Sequence, residues 1–284
     1  MTCAPIGVFD SGIGGLSVLA DIRRRLPGED LLYVADSLHA PYGEKSEAAI
    51  LKRCRAVCSY LVEQRSKAVV VACNTATAAA AAALRACTAV PVIGVEPGLK
   101  PAAALSTDKS VGILATAATL KSAKYAALVR DNGSSVTIHA QACPGLVELI
   151  EQGGYRGSRA RNMVRTYLDP LLDKNVDTIV LGCTHYPLIA PVIRELTQGA
   201  ATVVETGEAV ARQLENKLRA CTLLAESGRS GSTRICSTGP RNREHGKLRD
   251  VLHYLGLTGC TIECDLELDD PEETLRSPSL FPVC

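Results

Sequence analysis

Residues 69–75 read VVVACNT, and residues 178–184 read TIVLGCT. Each stretch begins with apolar, mainly β-branched residues that favour a strand. Each then reaches a cysteine followed by an amide or hydroxyl residue, which is a common way to begin a helix. The two stretches therefore predict two strand-to-helix junctions with Cys73 and Cys183 in equivalent places. Because the two cysteines stand 110 residues apart, about the length of one domain, the pattern indicates an internal repeat.

Short apolar runs alternate with longer stretches of helical periodicity along most of the chain, which is typical of parallel sheets covered by helices. We predict an α/β fold of two pseudo-symmetric domains, each a mostly parallel sheet flanked by helices. Ligands bind at the carboxyl ends of such strands, so we expect the active site in the cleft between the domains. The predicted strands are 6–9, 31–35, 68–72, 92–95, 110–115, 135–140, 177–181 and 201–205, and the predicted helices are 15–26, 46–64, 75–87, 120–130, 158–175 and 188–198.

The repeat also sets the expected domain boundaries. The chain leaves the first repeat at a proline-rich segment, 91–97, and returns near the Thr206-Gly207 pair. That path predicts a first domain made of two separate segments. It also predicts a second domain inserted between them. We predict residues 1–95 plus 208–264 for the first domain, 96–207 for the second, an exposed flexible loop at 225–232, and an acidic C-terminal tail at 265–284.

Composition excludes several classes of function. The 284-residue chain is 46% hydrophobic, which suits a large buried core. Its net charge of +1 comes from 31 basic and 30 acidic residues, so no broad basic surface is available for nucleic acid. The first residues lead directly into a strand pattern rather than a signal peptide, and no apolar stretch is long enough to cross a bilayer. We expect a cytoplasmic protein without a membrane or nucleic-acid partner.

Twelve cysteines occur without the regular spacing of a disulfide framework, so we expect reduced thiols. The nearest pairs, Cys54/Cys58 and Cys260/Cys264, are four residues apart and lack both the CxxC spacing and the histidine partners of a zinc site. We therefore predict no bound metal.

Two matched cysteines point to a symmetric reaction. A single reactive cysteine would indicate a nucleophile, as in an amidase or a transferase. Racemisation instead needs one base on each face of the α-carbon, because a proton leaves one face and another arrives at the opposite face. Without a pyridoxal cofactor, fixed hydrogen-bond donors must hold the substrate carboxylate. The loops at the strand ends supply candidates: Asp10, Ser11, Tyr42, Gly43, Asn74, Thr75, Thr116, Thr119, Thr184 and His185.

Five motifs resemble those of the bacterial glutamate racemases, in order and at fitting distances. They are VFDSGIGGL at 8–16, PYG at 41–43, ACNTA at 72–76, IGVEP at 93–97 and LGCTHYP at 181–187. The resemblance extends from about Ile6 to about Leu257. It implies a homodimer that needs neither pyridoxal nor metal and that supplies D-glutamate for peptidoglycan.

The resemblance also implies roles for particular residues. Cys73 and Cys183 match the two catalytic acid/base cysteines, Asp10 and His185 match residues that assist them, and Glu151 matches a further assisting carboxylate. Positions that contact the substrate match Ser11, Tyr42, Gly43, Asn74, Thr75 and Thr184. From the residues alone, Asp10 could equally cap the following helix, and His185 could be a structural histidine.

Three alternatives stay open. An aspartate racemase would have a related fold and paired cysteines, but those enzymes typically have Glu after the second Cys-Thr pair, where this chain has His185. A secondary, non-catalytic role as an inhibitor of DNA gyrase is reported for some glutamate racemases and is not excluded here. A hinged binding protein of the periplasmic type conflicts with the expected absence of a signal peptide.

Overall fold

The computed structural model describes residues 4–132 and 135–268. Contacts between Cα atoms divide these residues into two units: one is formed by the chain up to Val95 and from Gly207 onward, and the other by Glu96–Thr206. Each unit has its own parallel sheet with flanking helices, so the predicted α/β class is confirmed. Beyond Leu268, the predicted acidic tail lies outside the described residues.

Helices and strands alternate through both units. In chain order they are β1 (Ile6–Asp10), α1 (Leu16–Arg25), β2 (Leu31–Ala35), α2 (Glu47–Glu63), β3 (Ala68–Val71), α3 (Asn74–Cys87), β4 (Val92–Gly94), α4 (Leu99–Leu105), β5 (Ser110–Ala115), α5 (Ala117–Lys121), α6 (Ala123–Asn132), β6 (Thr137–Ala142), α7 (Leu146–Glu151), α8 (Gly157–Leu172), β7 (Thr178–Leu181), α9 (Ala190–Thr197), β8 (Thr202–Val204), α10 (Gly207–Ala220), β9 (Thr233–Ser237), α11 (Arg241–Tyr254) and β10 (Thr261–Glu263). Short 3₁₀ helices occupy Ser37–His39, Tyr42–Glu44 and Tyr186–Ile189.

The sheet of the first unit has six parallel strands in the order β10-β9-β2-β1-β3-β4. Strands β1, β2 and β3 are buried along their whole length, as expected for strands covered on both faces. Strand β1 lies between the other two: Asp10 is level with Ala35 of β2, and Phe9 is level with Val71 of β3. The residues that follow these three strands are therefore neighbours at one edge of the sheet.

The sheet of the second unit has four parallel strands in the order β6-β5-β7-β8. Strands β2-β1-β3-β4 of the first unit follow the same plan, since in both units the first strand lies between the second and the third. Cys73 follows the third strand of its unit, and Cys183 follows the third strand of its own. The repeat seen in the sequence is thus a repeat of topology.

The returning part of the chain departs most from the prediction. Helices α10 and α11 and strands β9 and β10 were not predicted, yet β9 pairs with β2 and extends the first sheet. The segment 225–232 is an irregular and mostly exposed loop, as predicted, and it is bound to the turn before β2. Within it, the Ser232 N–H and hydroxyl both donate to Asp30 at 2.7 Å, and Arg229 forms an ion pair with the same carboxylate.

Candidate active site

Cys73 stands at the junction of β3 and α3, with an extended backbone that ends the strand. Its sulfur accepts a hydrogen bond from the Ala76 N–H at 3.5 Å and therefore caps the helix. The Ser11 hydroxyl lies 4.0 Å from the same sulfur. Free N–H groups and the positive end of the helix dipole favour negative charge at such a position. The local structure therefore suits a cysteine that alternates between thiol and thiolate.

Asp10 ends β1 and is completely buried. One of its carboxylate oxygens accepts hydrogen bonds from the Ser11 hydroxyl at 2.9 Å and from the Gly12 N–H at 3.2 Å. Helix α1 begins at Leu16, directly after this loop. The Asp10 carboxylate holds the part of the loop that carries Ser11 towards Cys73.

Tyr33 also stabilises the loop between β1 and α1. Its buried hydroxyl donates a hydrogen bond to the Gly12 carbonyl at 2.6 Å. Gly15 packs between this tyrosine and Asp10. A Cβ atom at position 15 would lie 2.7 Å from the Asp10 Cβ and 2.8 Å from the Tyr33 hydroxyl. Glycine is therefore required there, because any side chain would displace Asp10 or Tyr33.

Asn74, the first residue of α3, has a side chain that is only 5% exposed. Neither its amide nitrogen nor its amide oxygen has a hydrogen-bond partner among the described residues. A buried amide without a partner costs free energy, so such a group calls for an explanation. Thr75, next along the helix, is also buried. The Asn74 amide is therefore a candidate for binding a ligand.

Tyr42 is buried, whereas its neighbour Gly43 is half-buried. The Tyr42 hydroxyl donates a 2.6 Å hydrogen bond to the carboxylate of Asp36, which follows β2. Tyr42 and Cys73 belong to the same buried cluster, and the 3₁₀ helix Tyr42–Glu44 packs against α3. The predicted contact residues of this loop therefore lie near Cys73, although the proton of the Tyr42 hydroxyl is already engaged.

Cys183 follows β7 in the second unit and begins a chain of acid/base groups. Its sulfur lies 3.8 Å from Nδ1 of His185, and Nε2 of the same ring lies 2.7 Å from a carboxylate oxygen of Glu151 at the end of α7. Cys183 and His185 are buried, and Glu151 is 12% exposed at its side chain. The structure thus joins three predicted residues from two separate parts of the sequence.

The charge on His185 depends on these two partners. Burial disfavours the imidazolium, but the hydrogen bonds to Cys183 and Glu151, and the negative charges of both groups, outweigh burial. Together they raise the pKa of His185 well above its ordinary value of 6.5. A protonated ring places a positive charge 3.8 Å from the Cys183 sulfur.

Three threonines complete the predicted residues of the second unit. Thr116 caps α5 by accepting a hydrogen bond from the Thr119 N–H, and its hydroxyl also donates to the Thr119 hydroxyl at 3.0 Å. Thr184 is buried directly after Cys183. Strand β5 lies beside β7 with Leu114 level with Leu181, so the residues that follow these two strands are neighbours.

The predicted site residues form one group in each unit. The first unit holds Asp10, Ser11, Tyr42, Gly43, Cys73, Asn74 and Thr75, and the second holds Thr116, Thr119, Glu151, Cys183, Thr184 and His185. Asp36 and Tyr33 also belong to this region and were not predicted as site residues. Asp36 directly follows a predicted strand, and that position was the signal available for it.

Two broader observations concern the described part of the chain. Its ten cysteines are free thiols, and it contains no group of three or more His, Cys, Asp or Glu side chains that could hold a metal ion. Within residues 4–132 and 135–268, every helix is too short or too polar to cross a membrane.

Comparison with known proteins places these features in a wider group. The model of the Asp/Glu/Hydantoin racemase family matches residues 6–214. The glutamate racemase of Pseudomonas paraeruginosa is 53% identical over 233 residues, which cover 82% of this chain and 88% of that protein.

Solved structures are similar over nearly the whole chain. The glutamate racemase of Francisella tularensis in complex with D-glutamate superposes with a TM-score of 0.80 at 29% identity, covering 96% of this chain and 99% of the other. The Escherichia coli glutamate racemase in complex with L-glutamate and the activator UDP-MurNAc-ala gives a TM-score of 0.80 at 33% identity, covering 93% of this chain and 99% of the other.

Proposed function

The chain belongs to the Asp/Glu/Hydantoin racemase family, and we propose that it interconverts L-glutamate and D-glutamate with Cys73 and Cys183 as its two acid/base groups. One observation supports this most strongly. Each cysteine follows the third strand of a repeated sheet. Each sulfur also lies near a polar side chain that can exchange a hydrogen bond with it: Ser11 near Cys73, and His185 near Cys183.

In the proposed reaction, one thiolate removes the α-proton of glutamate and the other thiol delivers a proton to the opposite face of the planar intermediate. The α-carbon keeps its other three bonds, so only two protons move, one from substrate to sulfur and one from sulfur to product. Turnover in the reverse direction exchanges the two roles. After each turnover, the enzyme holds its thiol and thiolate in the opposite arrangement.

The partners of each cysteine differ, and so does their part in the reaction. His185 would stabilise a thiolate at Cys183 by hydrogen bonding, with Glu151 supporting the charged ring. Asp10 holds the Ser11 hydroxyl, which in turn lies beside Cys73. We assign Asp10, His185 and Glu151 an assisting role and keep the two sulfurs as the groups that exchange protons with the substrate.

The α-proton is weakly acidic, so negative charge on the substrate must be stabilised without a pyridoxal electron sink. Asn74 offers an amide with no internal partner. Ser11, Gly43 and Thr75 in the first unit, and Thr116, Thr119 and Thr184 in the second, are the further groups proposed to bind the carboxylates and the amino group. The proposed reaction needs neither a metal nor an organic cofactor.

Glutamate is favoured over aspartate as the substrate. His185 follows the second Cys-Thr pair, where aspartate racemases typically have Glu. Its Nε2 atom lies 2.7 Å from a carboxylate oxygen of Glu151. The relative from Pseudomonas paraeruginosa, at 53% identity, is a glutamate racemase. We propose that the product D-glutamate supplies peptidoglycan synthesis in the cytoplasm, and that the enzyme acts as a homodimer. Inhibition of DNA gyrase stays a prediction from the family resemblance.

The test is α-proton exchange followed by NMR. The purified protein is incubated in D₂O with L-glutamate, and separately with L-aspartate, in the presence of a chelator and without pyridoxal phosphate. We expect deuterium at Cα of glutamate together with inversion, and no comparable exchange of aspartate. Exchange of aspartate alone would transfer the assignment to an aspartate racemase, and no exchange with either substrate would remove the proposed function.

A further inference from the structure

We propose that Asp36 is a positioning residue that holds the substrate loop, residues 41–43, against Cys73 by accepting the hydrogen bond of the Tyr42 hydroxyl. This inference rests on the proposed function, because the loop is assigned to the substrate there. Asp36 itself is not expected to touch the substrate. Its effect would pass through Tyr42, and its removal would loosen the loop rather than remove an acid or a base.

Asp36 is completely buried and accepts four hydrogen bonds. One carboxylate oxygen accepts from the Tyr42 hydroxyl at 2.6 Å and from Nε of Arg53 at 3.0 Å. The other oxygen accepts from Nη2 of Arg53 and from the Thr238 hydroxyl, and it also contacts Nδ1 of His39, each at 3.0 Å. The carboxylate therefore joins the loop to α2 and to Thr238, the residue that follows β9.

The charges of Asp36 and Arg53 determine which group donates in the hydrogen bond between Tyr42 and Asp36. Burial alone would raise the pKa of Asp36, but the hydrogen bonds from Arg53 and Tyr42 outweigh it and hold that pKa below its ordinary value. Burial and the negative charge of Asp36 raise the pKa of Tyr42 well above 10. The carboxylate is thus ionised and the phenol is protonated, so Tyr42 donates and Asp36 accepts at neutral pH.

This arrangement matters for Cys73 because Tyr42 lies in the same buried cluster as that thiol. A phenol with a free proton could donate it to a neighbouring thiolate and weaken the thiolate as a base. With its proton engaged by Asp36, Tyr42 offers the site its ring and its backbone. Arg53 pairs with the charge of Asp36, and the bond from Tyr42 attaches the loop to the same carboxylate.

The second unit supports this interpretation by contrast. Asp36 directly follows β2, the second strand of the first unit, and the equivalent residue after β6 is Cys143. Burial raises the pKa of the Cys143 thiol to about 12, so this position is neutral. The repeated fold therefore does not require a carboxylate after the second strand. The charged group around Asp36 is therefore a feature of the first unit, where it contacts the substrate loop through Tyr42.

Steady-state kinetics provide the first test, with Tyr42→Phe, Asp36→Asn and the double variant. We expect each single change to raise KM for glutamate about tenfold while kcat changes much less, because a hydrogen bond to a charged group is lost and the thiols stay in place. The double variant should be no worse than either single one, since both remove the same contact. Tyr60→Phe is the matched control, because its hydroxyl contacts Cys236 at 3.9 Å, outside the site.

Alkylation of Cys73 provides a second test that does not depend on turnover. Iodoacetamide labelling at Cys73, measured by peptide mass spectrometry, should be several-fold faster in Tyr42→Phe and Asp36→Asn than in the parent protein or in Tyr60→Phe. A fall in thermal stability with unchanged KM and unchanged labelling would overturn the positioning role and leave Asp36 as a structural residue. If the parent protein did not racemise glutamate, the proposed function would fall, while the labelling rates would still decide the role of Asp36.

Discussion

The short contact between the buried His185 ring and the partly buried Glu151 carboxylate should control the charge of the histidine. We expect Glu151→Gln to lower the pKa of His185, because the neutral amide removes one of the negative charges that favour the imidazolium. NMR titration of the ring in the parent protein and the variant measures the difference directly. An unchanged pKa would contradict the assignment of Glu151 as the supporting group.

The contact between His185 and Glu151 should also make the free energy of unfolding depend on pH. The folded-state pKa of His185 is raised, so its contribution to the free energy of unfolding is fully present below the ordinary value of 6.5. That contribution is lost as the pH rises through the folded-state pKa. Urea unfolding across this interval should show a decline in the parent protein that is shallower in Glu151→Gln, and equal slopes would contradict the prediction.

Asn74, unlike His185, should lower the stability of the protein, because its buried amide has no hydrogen-bond partner among the described residues. We expect this amide to bind the substrate. We expect Asn74→Leu to leave the free energy of unfolding unchanged or to raise it by about 1–3 kcal/mol, since two unpaired polar atoms are removed. Binding of glutamate should be lost in the same variant. Urea unfolding and calorimetric titration with glutamate measure the two effects. A destabilised variant that still binds glutamate would contradict the assignment.

Among the structural elements, the turns before β2 and β3 are joined by the buried ion pair of Glu29 and Lys67. Their charged atoms lie 2.5 Å apart, and both side chains are 2% exposed. We expect Lys67→Met to lower the free energy of unfolding by about 3–5 kcal/mol, because it leaves Glu29 charged and unpaired. The double variant with Glu29→Gln should recover much of the loss.

This pair lies at the amino ends of the strands, whereas the proposed acid/base groups follow the carboxyl ends. The kcat of the folded Lys67→Met variant should therefore match that of the parent protein. Urea unfolding and racemase kinetics on the same samples check both statements. A large fall in kcat with intact folding would show that this end of the sheet affects the reaction.

The loop between β1 and α1 depends on Gly15 for its path. In Gly15→Ala, the added methyl group would overlap with Asp10 and Tyr33, so one of them must move. We expect kcat/KM to fall by about 10²-fold, as is common when reacting groups are displaced by about 1 Å. Gly246→Ala, within α11, is the matched control, since a Cβ there would have no atom within 4 Å and the backbone is already helical. A Gly15→Ala variant with full activity would contradict the proposed role of the loop.

At the scale of the whole molecule, periodicity and strand-end residues predicted the α/β class and most elements up to residue 204. Strands β1, β2, β3 and β7 are buried on both faces, and their continuous apolar runs made them visible. Strand β9 was missed because Thr, Arg and Ser interrupt its apolar run, and because its place in the sheet depends on pairing with the distant strand β2.

In the candidate site, too, residues within local sequence motifs could be predicted, whereas contacts between distant residues could not. Cys73 and Cys183 could be found because each has a local strand-to-helix signature. The contact between His185 and Glu151 joins residues 34 positions apart, so only the fold brings them together. Asp36 escaped notice because its importance comes from partners as distant as Thr238, 202 positions along the chain.

Binding of substrate should stabilise the whole protein if the proposed function is correct. At a glutamate concentration about 100 times its Kd, the free energy of unfolding should rise by about 2.7 kcal/mol, because only the folded state binds. Both enantiomers of glutamate should raise Tm in a scanning assay, whereas aspartate should not. The effect should disappear in Asn74→Leu. Equal stabilisation by aspartate would contradict the proposed specificity.

The central claim is that two thiols act on opposite faces of one α-carbon, and exchange by the single variants Cys73→Ala and Cys183→Ala tests it most directly. Each variant is incubated in D₂O with L-glutamate and with D-glutamate, with Cys58→Ala as the control for a buried cysteine outside the site. We expect both site variants to lose racemisation and to retain slow exchange of opposite enantiomers, while the control racemises normally. Racemisation that persists in either variant, or exchange of the same enantiomer by both, would contradict the two-thiol mechanism.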